Sequence, residues 1–208
     1  MFLKNDLITI RDLTKEDLSF MLKWLTNDKV LKYYEGRDTH FTIESISNKF
    51  LTDIPNGFRL IIEYKNIPIG YCQYYQLDKN LLEEYEYSSN LTIFGIDQFI
   101  GEPNYWNKGI GTQFLQMMIE YFITQTMIDY IILDPRKTNS RAIRAYEKAG
   151  FKIKKELPKH ELFEGKYEDC LLMEKKLYYI IIKEAYEKII IMYIIILCYD
   201  FWLYIIFR

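Results

Sequence analysis

The chain has 208 residues, of which 50% are hydrophobic and 27% are charged, and its formal net charge is -2. This length predicts one domain with a full hydrophobic core, and the balanced charge gives no reason to expect a nucleic-acid-binding protein. The cysteines form no Cys-x-x-Cys pair and the two histidines stand far apart, so neither a disulfide framework nor a zinc site is predicted. The N-terminal segment lacks the pattern of a secretory signal, which predicts a cytoplasmic protein.

The C-terminal segment differs from the rest of the chain. Residues 189–207 contain one charged residue, Asp200, and are long enough to be a transmembrane candidate. Their Ile- and Tyr-rich composition is also typical of translated sequence beyond an older stop point, and a packed terminal helix is a third reading. We predict that residues 1–178 form the functional domain. Residues 179–208 form a hydrophobic extension with no expected catalytic role, through which membrane contact is possible.

The first part of the chain predicts one strand and two helices. Apolar and polar residues alternate over residues 7–13, which favours a strand. A helix capped by Thr14 follows, and Gly36 ends that helical region. A second helix should begin at Thr42 and end before Pro55. The apolar residues predicted to face the core are Phe20, Met21, Trp24 and Leu25 in the first helix and Ile43, Ile46 and Phe50 in the second.

The rest of the domain predicts strands with helices between them. Residues 58–64 and 67–77 form a predicted hairpin, and the polar residues 78–90 are predicted to be a loop. Further strands are predicted over residues 91–100, 127–134, 151–157 and 167–177, with helices directly after Gly111 and over residues 139–150. This order predicts an α/β or α+β domain with a mixed sheet.

Two glycines directly precede the central helix. Gly109 and Gly111 allow a ligand to approach the backbone closely, and the first N–H groups of a helix have no internal partner. Together they favour an anion-binding site. The P-loop order is excluded because Lys108 precedes the glycines, and Phe114 occupies the third glycine position of the dinucleotide fingerprint. A tight turn into the helix is the alternative reading.

Two aspartates stand in or beside apolar strands. An unpaired buried carboxylate is costly, so Asp97 should be paired, exposed in a cleft or used in chemistry. Asp134 ends a strand just before Pro135, where open α/β sheets place their ligands. A structural hydrogen bond for Asp97 and turn formation by Asp134 are the alternatives.

An acidic segment surrounds one of these aspartates. Between Asn80 and Asn107 there is no Lys or Arg, and the acids there are Glu83, Glu84, Glu86, Asp97 and Glu102. A phosphate site beside such an acidic wall predicts two ligands of opposite charge.

Three segments together carry a family resemblance. The stretches "FGIDQFIGEPNYWNKGIGT", "ILDPRKTNSRAIRAYEKAGF" and "LPKHELFEGKYEDCLLM" resemble the aminoglycoside 6'-N-acetyltransferases of the GCN5-related N-acetyltransferase (GNAT) superfamily. They are most similar to the acetyltransferase half of the bifunctional acetyltransferase–phosphotransferase. The resemblance covers approximately residues 7–177. It implies an α/β (α+β) GNAT fold whose mixed central sheet is flanked by helices. The sheet should be splayed between its fourth and fifth strands, which contain Asp97 and Asp134.

The resemblance also implies an acetyl-CoA site. Backbone N–H groups at the start of the central helix, with Lys108 adjacent, should hold the diphosphate, while the end of the Asp97 strand and Asn139 should contact the pantetheine arm. The residues predicted to bind the cofactor are Gln98, Phe99, Ile100, Lys108, Gly109, Ile110, Gly111, Thr112 and Asn139. One departure from the family pattern is Trp106, because the family usually has Gln or Arg at this position of the loop.

The implied reaction is acetyl transfer to an amine without a metal. Asp97 should accept the proton of the amine, and Tyr146 should return a proton to the CoA thiolate. The substrate should be bound by Tyr34, Glu35, Asp97 and Asp134. The expected acceptor is an aminoglycoside of the kanamycin or tobramycin type, and the protein is expected to be a monomer or homodimer. A polyamine or a protein N-terminus is the alternative acceptor, and a non-catalytic acetyl-CoA-binding module is the other alternative.

Overall fold

A computed structural model describes residues 2–125 and 127–177. Its strands are β1 (Leu3–Lys4), β2 (Ile8–Asp12), β3 (Gly57–Tyr64), β4 (Ile67–Gln76), β5 (Ile93–Ile100), β6 (Tyr130–Leu133), β7 (Lys152–Phe163) and β8 (Lys166–Lys176). Its helices are α1 (Leu18–Leu25), α2 (Asp28–Leu31), α3 (Ile43–Phe50), α4 (Lys79–Glu84), α5 (Ile110–Gln125) and α6 (Ser140–Lys148). The alternation of strands and helices in the middle of the chain agrees with the prediction.

The strands form one mixed sheet in the order β1-β2-β3-β4-β5-β6-β8-β7. All neighbouring pairs are antiparallel except β5 and β6, which are parallel. The β5–β6 pairing stops after Gly95 and Ile132, although β5 continues to Ile100. The sheet therefore parts between the strand that contains Asp97 and the strand that precedes Asp134, which confirms the predicted splay.

Helices cover both faces of the sheet. On one face α5 buries an apolar stripe that includes Leu115, Met118, Ile119 and Phe122, as predicted from their helical spacing. On the other face α1 and α3 pack against β3, β4 and β5, with Trp24 and Phe50 fully or almost fully buried. Burial from both sides fixes β5, so the side chains at its splayed end have a defined position.

Several local predictions were wrong. The polar residues 78–90 contain α4, which Asp78 caps by accepting a hydrogen bond from the backbone N–H of Leu81 at 2.9 Å. Burial of Leu82 and Tyr85 against other parts of the fold stabilises this short helix. Such tertiary packing is not visible in the local sequence. Ile43 is 44% exposed instead of buried, because it stands in the first turn of α3. Strand β1 was not predicted. The helical region predicted between Thr14 and Gly36 is divided into α1 and α2, because Asn27 leaves the helical conformation and caps α2.

The predicted C-terminal extension, residues 179–208, lies outside the described residues. Within residues 2–125 and 127–177, none of the helices combines the length and apolarity needed to cross a bilayer. The sheet of the described part is complete at Lys176, where β8 ends.

We expect a chain that is cut after Tyr179 to keep its fold and its activity, because the eight-stranded sheet of the described residues and the helices on both of its faces lie before the cut. Removing a long apolar run should also raise solubility. Thermal unfolding and enzyme assays of the full-length and shortened proteins measure both effects. An unfolded shortened protein would show that the extension belongs to the core.

Candidate active site

Two cavities meet along the splayed end of β5. The first, of about 300 Å³, is lined by all nine residues predicted to bind the cofactor. The second, of about 530 Å³, is lined by all four residues predicted to bind the substrate. The side chains that line both are Tyr33, Gln98, Asn139 and Tyr146. The fold thus gathers residues that are far apart in the sequence into two adjoining sites.

The two glycines leave open space in the first cavity. Gly109 has a φ of +77°, a left-handed conformation that favours glycine. A Cβ atom added to Gly109 or to Gly111 would meet no heavy atom within 4 Å. These glycines are therefore not required for packing within the described protein. The open backbone at the start of α5 fits close approach of an anionic group.

The first cavity is strongly cationic. Its charged lining residues are Lys108, Arg141, Arg144 and Lys148, and no carboxylate lines it. The Arg141 guanidinium lies against two aromatic rings, 3.7 Å from the centre of Trp106 and 4.5 Å from the centre of Tyr33. Burial lowers the pKa of Arg141 from its usual value. Within the described part of the chain, none of these four cations forms an ion pair, so the cavity fits a polyanionic ligand.

Trp106, which departs from the family pattern, makes two contacts that shape the first cavity. Its Nε1 donates a hydrogen bond to the carbonyl oxygen of Ile100 at 2.7 Å, and its ring supports Arg141. The position that carries Gln or Arg in the family therefore anchors the end of β5 here. The Trp106 ring also holds the guanidinium of Arg141, which comes from α6, beside Gly109 and Gly111.

Asp97 lies in the wall of the second cavity. It is half-buried, and the amide Nε2 of Gln73 donates a hydrogen bond to its Oδ2 at 2.6 Å. Burial, followed by the nearby charge of Asp134, raises the pKa of Asp97 to about 7. A carboxylate with a pKa near neutrality can both accept and release a proton at neutral pH, which is the property of a general base.

Asp134 lies directly after β6 in a small polar cluster. Its Oδ2 accepts a hydrogen bond from the hydroxyl of Tyr85 at 3.1 Å and lies 3.3 Å from Nε2 of His160. Nδ1 of His160 lies 3.4 Å from Oε1 of Glu84. The hydrogen bond with Asp134 raises the pKa of His160. Sequence reasoning did not identify Tyr85, which directly follows α4, or His160, which lies in β7.

Tyr34 and Glu35 also line the second cavity, where both are already in contact with other residues. Both carboxylate oxygens of Glu35 accept hydrogen bonds from Lys49 Nζ at 2.6 Å. The ring of Tyr34 lies 4.5 Å from that of Phe99, and burial raises the pKa of its hydroxyl. Glu35 is therefore neutralised by Lys49, while Tyr34 offers an aromatic wall.

The prediction that the acids between Asn80 and Asn107 form one acidic wall is wrong. Glu102 pairs with Lys23 and accepts a hydrogen bond from Nε1 of Trp24, and Glu86 pairs with Lys155 at 2.8 Å. Of the five acids between Asn80 and Asn107, Asp97 alone lines the cavity. The carboxylates that do line it come from four separate segments: Glu35, Asp97, Asp134 and Glu161.

Tyr146 lies at the junction of the two cavities. It is buried on α6, seven residues after Asn139, whose side chain caps that helix by accepting from the backbone N–H of Ala142. Burial raises the pKa of Tyr146, and a hydrogen bond with the Gln98 side chain partly opposes this effect. The phenol is therefore protonated at neutral pH and can donate a proton towards either cavity.

Comparison with known proteins identifies the family. Residues 13–159 match the family described as "Acetyltransferase (GNAT) domain". The chain belongs to the GNAT acetyltransferase family. This acetyltransferase is 29% identical over 150 residues to aminoglycoside N(6')-acetyltransferase type 1 of Klebsiella pneumoniae, a match that covers 71% of this chain and 75% of the relative. The resemblance inferred from the sequence is thereby confirmed.

Two further comparisons extend this result. The acetyltransferase is 25% identical over 169 residues to spermidine N(1)-acetyltransferase of Escherichia coli (strain K12), covering 80% of this chain and 84% of the relative. Its fold matches the crystal structure of aminoglycoside acetyltransferase AAC(6')-Ib in complex with coenzyme A and kanamycin with a TM-score of 0.67 at 23% identity. That match covers 83% of this chain and 96% of the solved one.

Proposed function

We propose that this acetyltransferase transfers the acetyl group of acetyl-CoA to the 6'-amine of aminoglycoside antibiotics and thereby gives resistance to them. The observation that carries the proposal is that a cationic cavity meets, at Tyr146, a second cavity lined by four carboxylates that include Asp97. The first cavity suits the phosphates of CoA, and the second suits an acceptor with several amines. We place the reaction in the cytoplasm because acetyl-CoA is an intracellular metabolite.

The proposed cofactor contacts use the backbone more than side chains. The N–H groups from Gly109 to Thr112 face the diphosphate at the start of α5, where the helix dipole favours negative charge. The β5 segment from Gln98 to Ile100 has no hydrogen-bonded partner in β6, so this edge is available to the pantetheine arm except at the Ile100 carbonyl, which accepts from Trp106. Asn139 and Lys108 complete the proposed set.

In the proposed reaction the amine nitrogen loses two protons and the leaving thiolate gains one. An alkylamine with a pKa of ~10.4 is mostly protonated at neutral pH, and only the neutral amine attacks a thioester. Asp97 accepts this proton, directly or through a water molecule. The amine nitrogen then forms a bond to the acetyl carbon while the carbon–sulfur bond breaks, and Tyr146 donates its phenolic proton to the leaving thiolate. The nitrogen gives up its second proton, which restores the Tyr146 phenol, and Asp97 releases its proton to solvent.

Among the described residues, two carboxylates of the proposed acceptor site have no lysine or arginine partner. Glu35 pairs with Lys49 and Glu161 pairs with Arg136 at 2.8 Å, so Asp97 and Asp134 are left to attract substrate ammonium groups. Asp97 faces the reacting amine and Asp134 a second amine. The aromatic rings of Tyr34 and Tyr75 in the same wall suit stacking on sugar rings.

A polyamine is the second candidate acceptor. It is favoured by the similarity to spermidine N(1)-acetyltransferase and by the same four carboxylates, which attract any polycation. The two acceptors differ in shape, because a linear polyamine would leave the aromatic wall without a stacking partner.

We expect the purified enzyme to acetylate kanamycin and tobramycin at the 6'-amine and to leave paromomycin unmodified at that position, since paromomycin has a hydroxyl there. Release of free thiol from acetyl-CoA measures turnover, and mass spectrometry of the product locates the acetyl group. Spermine serves as the comparison acceptor. Thiol release with spermine in the absence of turnover of kanamycin would establish the polyamine candidate instead.

A further inference from the structure

Asp97 belongs to a row of polar side chains that crosses three neighbouring strands. Arg59 of β3 is the cross-strand partner of Gln73 in β4, and Gln73 is the partner of Asp97 in β5. Residues in direct cross-strand register project from the same face of a sheet. All three line the second cavity, so the row is part of its wall.

The hydrogen bonds of this row fix the orientation of the Gln73 amide. Its Oε1 accepts from the hydroxyl of Tyr71 at 2.8 Å and from Nε of Arg59 at 3.5 Å, while its Nε2 donates to Oδ2 of Asp97 at 2.6 Å. A guanidinium can only donate and an ionised carboxylate can only accept. Rotating the amide by 180° would place its NH2 group against the N–H of Arg59 and its oxygen against the carboxylate of Asp97. A donor would then face a donor, and an acceptor would face an acceptor.

Further contacts hold the far end of the row. Nη1 of Arg59 donates to the backbone oxygen and to the hydroxyl of Thr52, and the ring of Tyr71 is fully buried against Phe50 and Phe99. The anchors of Gln73 therefore lie in the sheet and in the segment that follows α3, away from the reacting groups. Oδ2 of Asp97 is held in place, which leaves Oδ1 to accept a proton.

We propose that Gln73 is a positioning residue for acetyl transfer: held by Tyr71 and Arg59, it orients the Asp97 carboxylate and stabilises its ionised form. This inference rests on the proposed function only in naming Asp97 as the base. Gln73 itself contacts neither the acceptor nor the thioester in this scheme. It acts through the carboxylate.

The other groups that face Asp97 act mostly in the opposite direction. Three carboxylates from separate elements disfavour its ionised form, namely Asp134 after β6, Glu35 after α2 and Glu161 on β7. The remaining titratable neighbours are neutral at neutral pH: Tyr34, Tyr71, Cys72, Tyr75 and Tyr146. The basic side chains of the same cavity have other partners: Lys49 pairs with Glu35, Arg136 with Glu161 and His160 with Asp134, while Arg59 donates to Gln73 and Thr52. The hydrogen bond from Gln73 is therefore the main interaction that lowers the pKa of Asp97.

The test is the titration of Asp97 in a Gln73→Met variant, which keeps the length of the side chain and removes the amide. Carbon NMR of labelled aspartate carboxyl groups follows this titration without any ligand, and the Asp97→Asn spectrum assigns the signal. We expect the Asp97 midpoint to rise by about one pH unit, the size expected for one lost hydrogen bond to a charged group. The acidic limb of the kcat/KM profile should move to higher pH by the same amount, and the limiting rate at high pH should change less.

Two further variants complete the experiment. Gln76→Met removes an amide from the same strand, but Gln76 accepts from Asn56 and lies outside both cavities, so the Asp97 midpoint should not move. Tyr71→Phe removes only the hydroxyl that orients Gln73 and should shift the midpoint in the same direction by a smaller amount. An unchanged midpoint in folded Gln73→Met, or an equal shift in Gln76→Met, would overturn the inference. Absence of acetyl transfer by the wild type would count against the proposed function alone, because the NMR titration does not depend on turnover.

Discussion

Asp97→Asn should lower kcat by ~10²-fold or more, the usual contribution of a general base. Asparagine keeps the shape of the side chain and can still accept the hydrogen bond from Gln73, but it can neither take up a proton nor carry charge. The affinity for acetyl-CoA should stay near that of the wild type, because Asp97 lines only the second cavity. Steady-state kinetics and calorimetry with CoA measure the two effects separately.

The stability of this variant provides a second readout. Folding raises the pKa of Asp97 to about 7. The folded protein therefore loses stability as the pH rises from the pKa of this residue in the unfolded chain towards 7, and the loss persists at higher pH. Asparagine removes this loss. The melting temperature of Asp97→Asn should therefore equal or exceed that of the wild type at pH 8, with a smaller difference at pH 5. Wild-type turnover combined with a lower melting temperature would make Asp97 a structural residue.

Asp134→Asn is the matched control for the base. Asp134 lies in the same cavity, where it accepts from Tyr85 and contacts His160. In the proposed scheme it binds a second ammonium group of the acceptor and takes no proton. Its replacement should raise KM for kanamycin more than it lowers kcat. If Asp134→Asn abolished turnover and Asp97→Asn did not, the two roles would be reversed.

Gly111→Val should weaken CoA binding by about 10- to 100-fold, the range expected when one charge-assisted hydrogen bond or two is lost. A Cβ atom at this position meets no heavy atom of the protein within 4 Å, so the fold should tolerate the substitution. The same side chain would occupy the space through which a phosphate approaches the backbone. Binding of kanamycin in the other cavity should be unchanged, as calorimetry with each ligand separately would determine.

A control for Gly111→Val is Gln116→Val. It introduces the same β-branched residue on the exposed side of α5, outside both cavities. It should cost a few tenths of a kcal/mol in helix propensity and leave CoA binding intact. Equal losses of CoA affinity in the two variants would mean that the glycine loop is not where the phosphates bind.

The residues that sequence reasoning located are those whose signal is local. Gly109 and Gly111 break a helical pattern at its first turn, and Asp97 interrupts an apolar strand. Each signal can be recognised without knowing what lies across the sheet. Gln73 gives the same kind of signal as Asp97, a polar residue within an apolar strand, but its meaning depends on the register that pairs the two residues.

The wrong predictions have a related cause. Clustering along the chain suggested an acidic wall, yet Glu86 and Glu102 lie outside the cavity and pair with lysines from distant segments. His160 reaches the cavity from β7, and a single histidine carries no sequence signal for that position. Which charges share a cavity is decided by topology and pairing, and neither can be read from spacing.

The gap between β5 and β6 also bears on how quickly a ligand can enter. Pairing of these strands ends at Gly95 and Ile132, and Pro135, which follows β6, has no N–H with which to continue a ladder. The carbonyl oxygen of Pro135 instead accepts from the N–H of Leu171, which ties this segment to β8 on the side away from β5. A cleft fixed in this way needs no strand to separate before a ligand enters. Its preorganisation lowers the ordering cost of binding, so the association rate should be governed by diffusion and charge, with no slow opening step.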